Sequence, residues 1–353
     1  MGGRRLRVRL SNAFGDEELR VARAVIARPV GDRSGASAVE PRSPLPLTFG
    51  GRPDVRVPVG ALVVSDPVDV VTSARSALTL TTHLLGEASR WGLTSHPGSR
   101  TTSHVLAGDR AGDEDLPGAA PVEHWYCLAG MEVVPERPTR VVVVLGDSLS
   151  DGRGSTTDGD DRWPDLLVAR LQAAGRTDVA VVNAAGGGGR VLADGLGPSA
   201  LARLDRDVLA VSGAAWLLVL AGVNDLGTAA PTAEAQREVA EDLVRGYEQL
   251  VVRARARGLR TLGATLLPFG GHVDYDDPEG QREGSRGVVN EWVRTSGCFD
   301  AVVDLDRAAR DPARPGRLRP ALDGGDHLHL GPAGYAALAA AVPLDLFEPP
   351  EPA

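Results

Sequence analysis

One short segment restricts the fold of this chain more than any other. Residues 141–145 are four valines and a leucine, and Gly-Asp-Ser follows at once, ending at Ser148. A short β-branched run bounded by turn residues is typical of a strand buried on both faces inside a parallel sheet. Ligands of such sheets bind beyond the carboxyl ends of the strands. Ser148 stands at such an end and is a candidate nucleophile, although serine is also a common turn residue there.

Beyond this segment, two kinds of apolar pattern alternate towards the end of the chain. Short, mainly apolar runs predict strands at 141–145, 179–182, 216–220, 259–267 and 301–305. Amphipathic stretches predict helices at 163–174, 200–208, 232–257, 284–296 and 332–342. Strands that alternate with helices indicate an α/β fold. We therefore expect a doubly wound parallel sheet in a domain spanning residues 138–353.

The first part of the chain has a different pattern. Residues 1–137 contain short segments with alternating apolar and polar residues, such as 6–10 and 55–59, separated by Gly and Pro. This punctuation is typical of a sandwich or a jelly roll. Residues 94–121 are rich in polar residues and Gly, which predicts a long loop. We expect an all-β accessory domain over residues 1–137.

Charge, hydropathy and cysteine content exclude several classes of protein. The formal net charge is −9, whereas nucleic-acid-binding domains carry a basic face, so no nucleic-acid partner is expected. No run approaches the roughly 18 apolar residues of a membrane span. No apolar signal segment follows Met1, which predicts a cytoplasmic protein, or a secreted one if the N-terminus is truncated. Cys127 and Cys298 form no metal-ligand pattern, and a disulfide between them stays open.

Two further predicted strands are followed by polar or Gly-rich turns. Asn183 precedes a run of four glycines, residues 186–189, and Asn224 follows the strand at 216–220. The glycine run lacks the Lys-Ser/Thr of a P-loop, so a phosphate cradle is less favoured than a flexible turn. A third interpretation is a backbone N–H aimed into a site, since Gly lets the backbone approach a ligand closely. Asn224 is a cap residue or a side-chain donor.

Near the end of the chain, two histidines lie beside two aspartates. His327 and His329 stand close to Asp323 and Asp326. Two histidines two residues apart, with no third ligand, are weak evidence for zinc. A serine nucleophile needs an adjacent base, and that imidazole needs a carboxylate to orient it. Asp326 and His329 supply both on one loop, with Asp323 and His327 as the competing pair.

Together these blocks resemble a known family, the SGNH (GDSL) hydrolases. The blocks are residues 146–149, the glycine run after Asn183, residues 222–225, and residues 326–329. The resemblance covers residues 139–345 and implies a flavodoxin-like esterase with a Ser-His-Asp triad, needing no metal or organic cofactor. It assigns the nucleophile to Ser148, the Asp-His pair to Asp326 and His329, and the oxyanion donors to Ser148 N–H, Gly188 N–H and the Asn224 amide. Ala185, Gly186 and Gly189 depart from the family pattern, so Gly187 competes with Gly188.

The expected activity follows from this resemblance. Residues 152–159 and the N-terminal β region are similar to a bacterial subgroup with xylan-esterase-like members, which predicts cleavage of short-chain, acetyl esters of a carbohydrate or a small molecule. Two alternatives stay open: an acyltransferase or esterase that tailors a small metabolite, and a carbohydrate-binding protein with an inactive hydrolase domain. No sequence feature indicates an oligomeric state.

Overall fold

The computed structural model describes residues 1–86 and 92–348. Residue contacts divide the chain into two compact units: Met1–Pro138 with Thr157–Gly159, and Thr139–Thr156 with the residues from Asp160 onward. The segment Thr157–Gly159 belongs to the first unit because Asp158 accepts hydrogen bonds from the N–H and the hydroxyl of Thr102, both at 2.7 Å.

The first unit is built from short strands. In chain order they are β1 (Gly3–Ser11), β2 (Leu19–Ala27), β3 (Leu45–Pro46), β4 (Val55–Val57), β5 (Leu62–Val64), β6 (Val68–Thr72), β7 (Thr79–Leu85), β8 (Ser95–His96), β9 (Ser103–Val105), β10 (Ala120–Val122), β11 (Trp125–Tyr126) and β12 (Leu128–Pro135), with a 3-10 turn at Val30–Asp32. One antiparallel sheet has the order β12-β1-β5, with β6 also paired to β1. A second has the order β3-β2-β4, with β7 also paired to β2.

Buried residues of the two central strands form one apolar core. Leu6, Val8 and Leu10 of β1 are buried and join Val21 and Ile26 of β2 in the same cluster. Two antiparallel sheets that share a core form a sandwich, which confirms the expected all-β region. The predicted loop at 94–121 was wrong in part, because β8, β9 and the first two residues of β10 lie within it. These strands have only two or three residues, too few for a periodic signal.

The second unit alternates strands and helices. Its strands are β13 (Arg140–Gly146), β14 (Val179–Asn183), β15 (Ala214–Leu220), β16 (Arg260–Ala264), β17 (Ala301–Val303), β18 (Arg310–Asp311) and β19 (Arg314–Leu318). Its helices are α1 (Ser148–Asp151), α2 (Trp163–Ala173), α3 (Ala200–Leu204), α4 (Val223–Thr228), α5 (Ala233–Arg255), α6 (Gln281–Thr295), α7 (Leu305–Ala309) and α8 (Pro332–Ala341), with a π turn at Asp205–Leu209 and a 3-10 turn at Leu344–Phe347. The main sheet is parallel throughout, in the order β14-β13-β15-β16-β17. This confirms the expected doubly wound, flavodoxin-like sheet.

The valine run is explained by burial on both faces of this sheet. Val142 and Val144 pack with Trp163 and Leu167 of α2 in one apolar cluster. Val143, which points to the opposite face, is also fully buried. Full burial of one valine, relative to exposure, contributes about 1.5–3 kcal/mol. The strand that precedes Ser148 is therefore a rigid support for it.

Several element ends differ from the sequence prediction, among them the start of α6 and the end of β16. Helix α6 starts at Gln281 instead of residue 284. The Asp277 carboxylate accepts the N–H groups of Gln281 at 2.9 Å and Arg282 at 3.0 Å, which stabilises this first turn. Strand β16 is shorter than the predicted 259–267. Leu266 leaves the sheet and donates its N–H to Oδ1 of Asn290 at 2.6 Å.

The sheet order places two chain segments at one edge. Strand β13 is first in the chain and β15 third, and they are neighbours. The strand order reverses between such neighbours, which opens a crevice at their carboxyl ends. Ser148 follows β13 and Asn224 follows β15, so both residues lie at this crevice.

Candidate active site

Ser148 is the first residue of the short helix α1. Asp147 caps this helix, since its Oδ1 accepts the N–H of Leu149 at 3.0 Å. Gly146 is required before the turn, because a Cβ there would lie 2.6 Å from Oγ of Ser150. Ser148 is 7% exposed. The strand end and the cap together hold its hydroxyl in one place.

The hydroxyl of Ser148 meets an imidazole and a carboxylate in sequence. Its Oγ lies 2.8 Å from Nε2 of His329. Nδ1 of the same ring lies 2.7 Å from Oδ2 of Asp326. Oδ1 of Asp326 accepts the N–H groups of His329 at 2.8 Å and Leu328 at 3.1 Å. The three-residue spacing of Asp326 and His329 therefore forms a closed turn that aims the ring at Ser148.

The electrostatics suit proton transfer from serine to imidazole. Burial lowers the pKa of His329 from its ordinary 6.5, while Asp326 opposes this shift and the neighbouring Arg153 and His272 add to it. For Asp326, burial disfavours the carboxylate, but hydrogen bonds from His329 and Leu328 outweigh it and lower the pKa to about 2. At neutral pH the pair is thus a neutral imidazole held by a carboxylate, as a general base requires.

The competing pair forms a separate contact. Nδ1 of His327 lies 2.5 Å from Oδ2 of Asp323, and the His327 side chain is 51% exposed. Oδ1 of Asp323 accepts the N–H groups of Gly325 at 2.8 Å and of His327 at 3.0 Å. The hydroxyl of Ser148 is bonded to His329 and not to His327. The geometry therefore favours Asp326 and His329 over Asp323 and His327.

The glycine run leaves one N–H available. Three of its N–H groups are bonded within the chain: Gly186 to the carbonyl of Gly146, Gly187 to Oδ2 of Asp151, and Gly189 to the carbonyl of Gly186. Among the described residues, the N–H of Gly188 meets no acceptor, and neither does that of Ser148. Gly188 has φ +69°, a conformation that favours glycine. This arrangement favours Gly188 over Gly187 as a donor and does not resemble a phosphate cradle.

Asn224 is buried and hydrogen-bonded on both sides of its amide. Its Nδ2 donates to the carbonyl of Gly189 at 2.9 Å. Its Oδ1 accepts from the hydroxyl of Tyr275 at 2.8 Å. The amide therefore stands next to the glycine run, with a second Nδ2 hydrogen that can serve another acceptor.

Tyr275 was missed by the sequence analysis. It lies in the loop between β16 and α6, 51 residues after the asparagine that it contacts. The one available signal was its position after the fourth strand of the sheet, at the edge where ligands bind. A tyrosine in a loop has no spacing rule that would single it out.

A buried carboxyl group stands directly before the serine. Asp147 is 1% exposed, and among the described residues its Oδ2 has no hydrogen-bond partner. Burial raises the pKa of Asp147 to about 7, the N–H of Leu149 opposes the shift, and the charge of Asp225 adds to it. Arg203, which donates to the carbonyl of Gly146 at 3.0 Å, also favours the charged form. The Asp147 carboxyl is therefore expected to change its protonation state near neutral pH.

Other sequence expectations concern metals, cysteines and membranes. In residues 1–86 and 92–348, no three His, Cys, Asp or Glu side chains are grouped as a metal site would need. Cys127 and Cys298 are free thiols, so the structure contains no disulfide between them. None of the helices in the described part of the chain has the length and apolarity to cross a bilayer.

Comparison with known proteins identifies the family. Residues 144–337, more than half of the chain, match the model of the GDSL-like lipase/acylhydrolase family. Similar solved structures include a lipolytic protein of the G-D-S-L family from Desulfitobacterium hafniense DCB-2, with 19% identity, 57% of this chain and 97% of that chain covered, and a TM-score of 0.43. They also include the lipase/acylhydrolase from Enterococcus faecalis (22%, 57% and 93%, TM-score 0.44) and an acetyl xylan esterase (18%, 57% and 96%, TM-score 0.42). A search of the curated proteins found no match. By the family match, this chain belongs to the GDSL-like lipase/acylhydrolase family and is a hydrolase.

Proposed function

We propose that this hydrolase is a serine carboxylester hydrolase that uses Ser148, His329 and Asp326 as a catalytic triad. The single observation that supports this most is the continuous contact from the Ser148 hydroxyl through the His329 ring to Asp326, at 2.8 and 2.7 Å. Serine is a weak nucleophile at its own pKa and needs such a base.

In the proposed acylation step, Oγ of Ser148 attacks the ester carbonyl carbon while its proton passes to Nε2 of His329. Asp326 stabilises the imidazolium that forms. The carbon–oxygen bond to the alcohol then breaks, and the alcohol leaves with the proton from His329. A water molecule then attacks the acyl carbon while His329 accepts its proton. The bond between this carbon and Oγ of Ser148 breaks, Oγ takes the proton back from His329, and the acid is released.

The oxyanion of the tetrahedral intermediate would be held by three donors: the N–H of Ser148, the N–H of Gly188 and Nδ2 of Asn224. The two backbone groups have no acceptor within the described chain, and Nδ2 has a hydrogen beyond the one given to Gly189. Removing one such donor typically costs about 2.7–4 kcal/mol of transition-state stabilisation.

We further propose that the acyl group is short, acetyl above all, and that the alcohol is a carbohydrate or a small molecule. Support comes from the sequence similarity of residues 152–159 to xylan-esterase-like members. We expect kcat/KM for p-nitrophenyl esters to be highest for acetate and to fall as the chain lengthens to octanoate. A maximum at octanoate would contradict the short-chain proposal. Product analysis with an added alcohol acceptor separates hydrolysis from acyl transfer.

The pH dependence tests the role of His329. A protonated imidazole cannot accept the serine proton, and its pKa lies below the ordinary 6.5 because the ring is buried. We therefore expect kcat/KM to be constant at neutral pH and to fall in acid with a midpoint below 6.5. The same midpoint in Asp147→Asn would assign the acid limb to His329. A midpoint near 7, or one that moves in Asp147→Asn, would instead indicate titration of Asp147, whose pKa is raised to about 7.

A further inference from the structure

We propose that Tyr275 is a positioning residue of the oxyanion hole, which holds the Asn224 amide in the orientation that directs Nδ2 towards the substrate oxygen. The inference rests on the proposed function. It adds a residue that neither the family blocks nor the triad geometry includes.

The two ends of the Asn224 amide have different hydrogen-bond partners. An asparagine side chain can rotate by half a turn, which exchanges its oxygen and nitrogen. The carbonyl of Gly189 only accepts, so it requires Nδ2 on its side, at 2.9 Å. The hydroxyl of Tyr275 then donates to Oδ1 at 2.8 Å. With both partners present, the remaining Nδ2 hydrogen has a fixed direction.

The tyrosine ring is held so that its hydroxyl reaches this amide. Gly227 of α4 makes room for the ring, because a Cβ at this position would lie 2.4 Å from it. Phe269 packs edge-on at 6.1 Å between ring centroids, and His272 lies at 4.9 Å. The β16–α6 loop is itself tied down, since Arg282 donates to the carbonyl of Asp274 at 3.1 Å.

The contact also acts on the donor strength of Asn224. A hydrogen bond received at the amide oxygen polarises the amide, which makes its N–H a better donor to a developing oxyanion. Burial raises the pKa of Tyr275, so the phenol remains protonated and able to donate at assay pH. The contact therefore lowers the free energy of the transition state, in which the oxyanion develops, and hardly changes the free energy of substrate binding.

The test is a double-mutant cycle on the full chain. We expect Tyr275→Phe, which removes only the hydroxyl, to lower kcat about 10-fold with KM within about 2-fold. Asn224→Ala is expected to lower kcat about 10²–10³-fold. In the double variant, we expect no loss beyond that of Asn224→Ala, because the tyrosine acts through the amide.

Tyr247→Phe is the matched control, since its hydroxyl donates to the carbonyl of Ala221 at 2.6 Å and is buried. We expect it to lower the melting temperature with kcat within about 3-fold. Additive losses of Tyr275→Phe and Asn224→Ala, or a loss for Tyr275→Phe in KM or melting temperature only, would overturn the positioning role. Unchanged kcat in Asn224→Ala would instead overturn the oxyanion assignment within the proposed function.

Discussion

Replacing Ser148 by alanine is expected to reduce kcat for p-nitrophenyl acetate by at least about 10⁴-fold. In the proposed mechanism, this variant lacks the atom that attacks the carbonyl carbon, so no acyl-enzyme can form. Within residues 1–86 and 92–348, the side chain of Ser148 makes one hydrogen bond, to His329, and α1 remains capped by Asp147. The melting temperature should therefore change by no more than about 2 °C.

Ser155→Ala is the matched control for this variant. Ser155 lies seven residues further on and donates its hydroxyl to the carbonyl of Gly152 at 2.6 Å. We expect its kcat to remain within about 3-fold of the unmodified protein. If Ser148→Ala kept more than about a tenth of the activity while Ser155→Ala lost it, the nucleophile would be misassigned.

Replacing His329 by alanine is the second variant with a very large expected effect. In the proposed mechanism, the imidazole accepts the serine proton and returns it to the leaving alcohol, so we expect kcat to fall by at least about 10⁴-fold without it. The rate of acyl-enzyme formation, followed in single-turnover experiments, should fall by the same factor because the base acts in that step.

His327→Ala provides a control that differs by two positions. In the unmodified protein, the His327 ring is paired with Asp323 and half exposed. We therefore expect kcat of the variant within about 3-fold of the unmodified protein and a modest loss of stability. A larger loss of kcat in His327→Ala than in His329→Ala would show that the Asp323–His327 pair supplies the base. The two variants thus decide between the two Asp–His pairs that the sequence presents.

The sheet and its edge were predictable because they depend on local patterns. The valine run at 141–145 has one reasonable explanation, a strand buried on both faces, and the structure buries it so. The reversal of strand order between β13 and β15 then places Ser148 and Asn224 at one crevice. The spacing of Asp326 and His329 is likewise local, since both are bonded within one turn.

Contacts between distant segments could not be predicted in this way. The Tyr275 hydroxyl meets Asn224 only because the β16–α6 loop folds back onto α4. The choice between Gly187 and Gly188 depended on Asp151, which takes the Gly187 N–H at 3.0 Å and has no sequence relation to the glycine run. The start of α6 was misplaced for a different, local reason: Asp277, whose carboxylate accepts the first N–H groups of the helix, lies outside the amphipathic pattern.

The most direct test of the central claim is covalent labelling of the intact protein with a fluorophosphonate probe, followed by peptide mass analysis. The phosphonyl group should be found on the peptide that contains Ser148, with release of one fluoride per chain. Labelling should disappear in Ser148→Ala and slow sharply in His329→Ala, whose serine lacks its base. Labelling of another residue, or no labelling of a folded protein, would contradict a serine esterase built on Ser148.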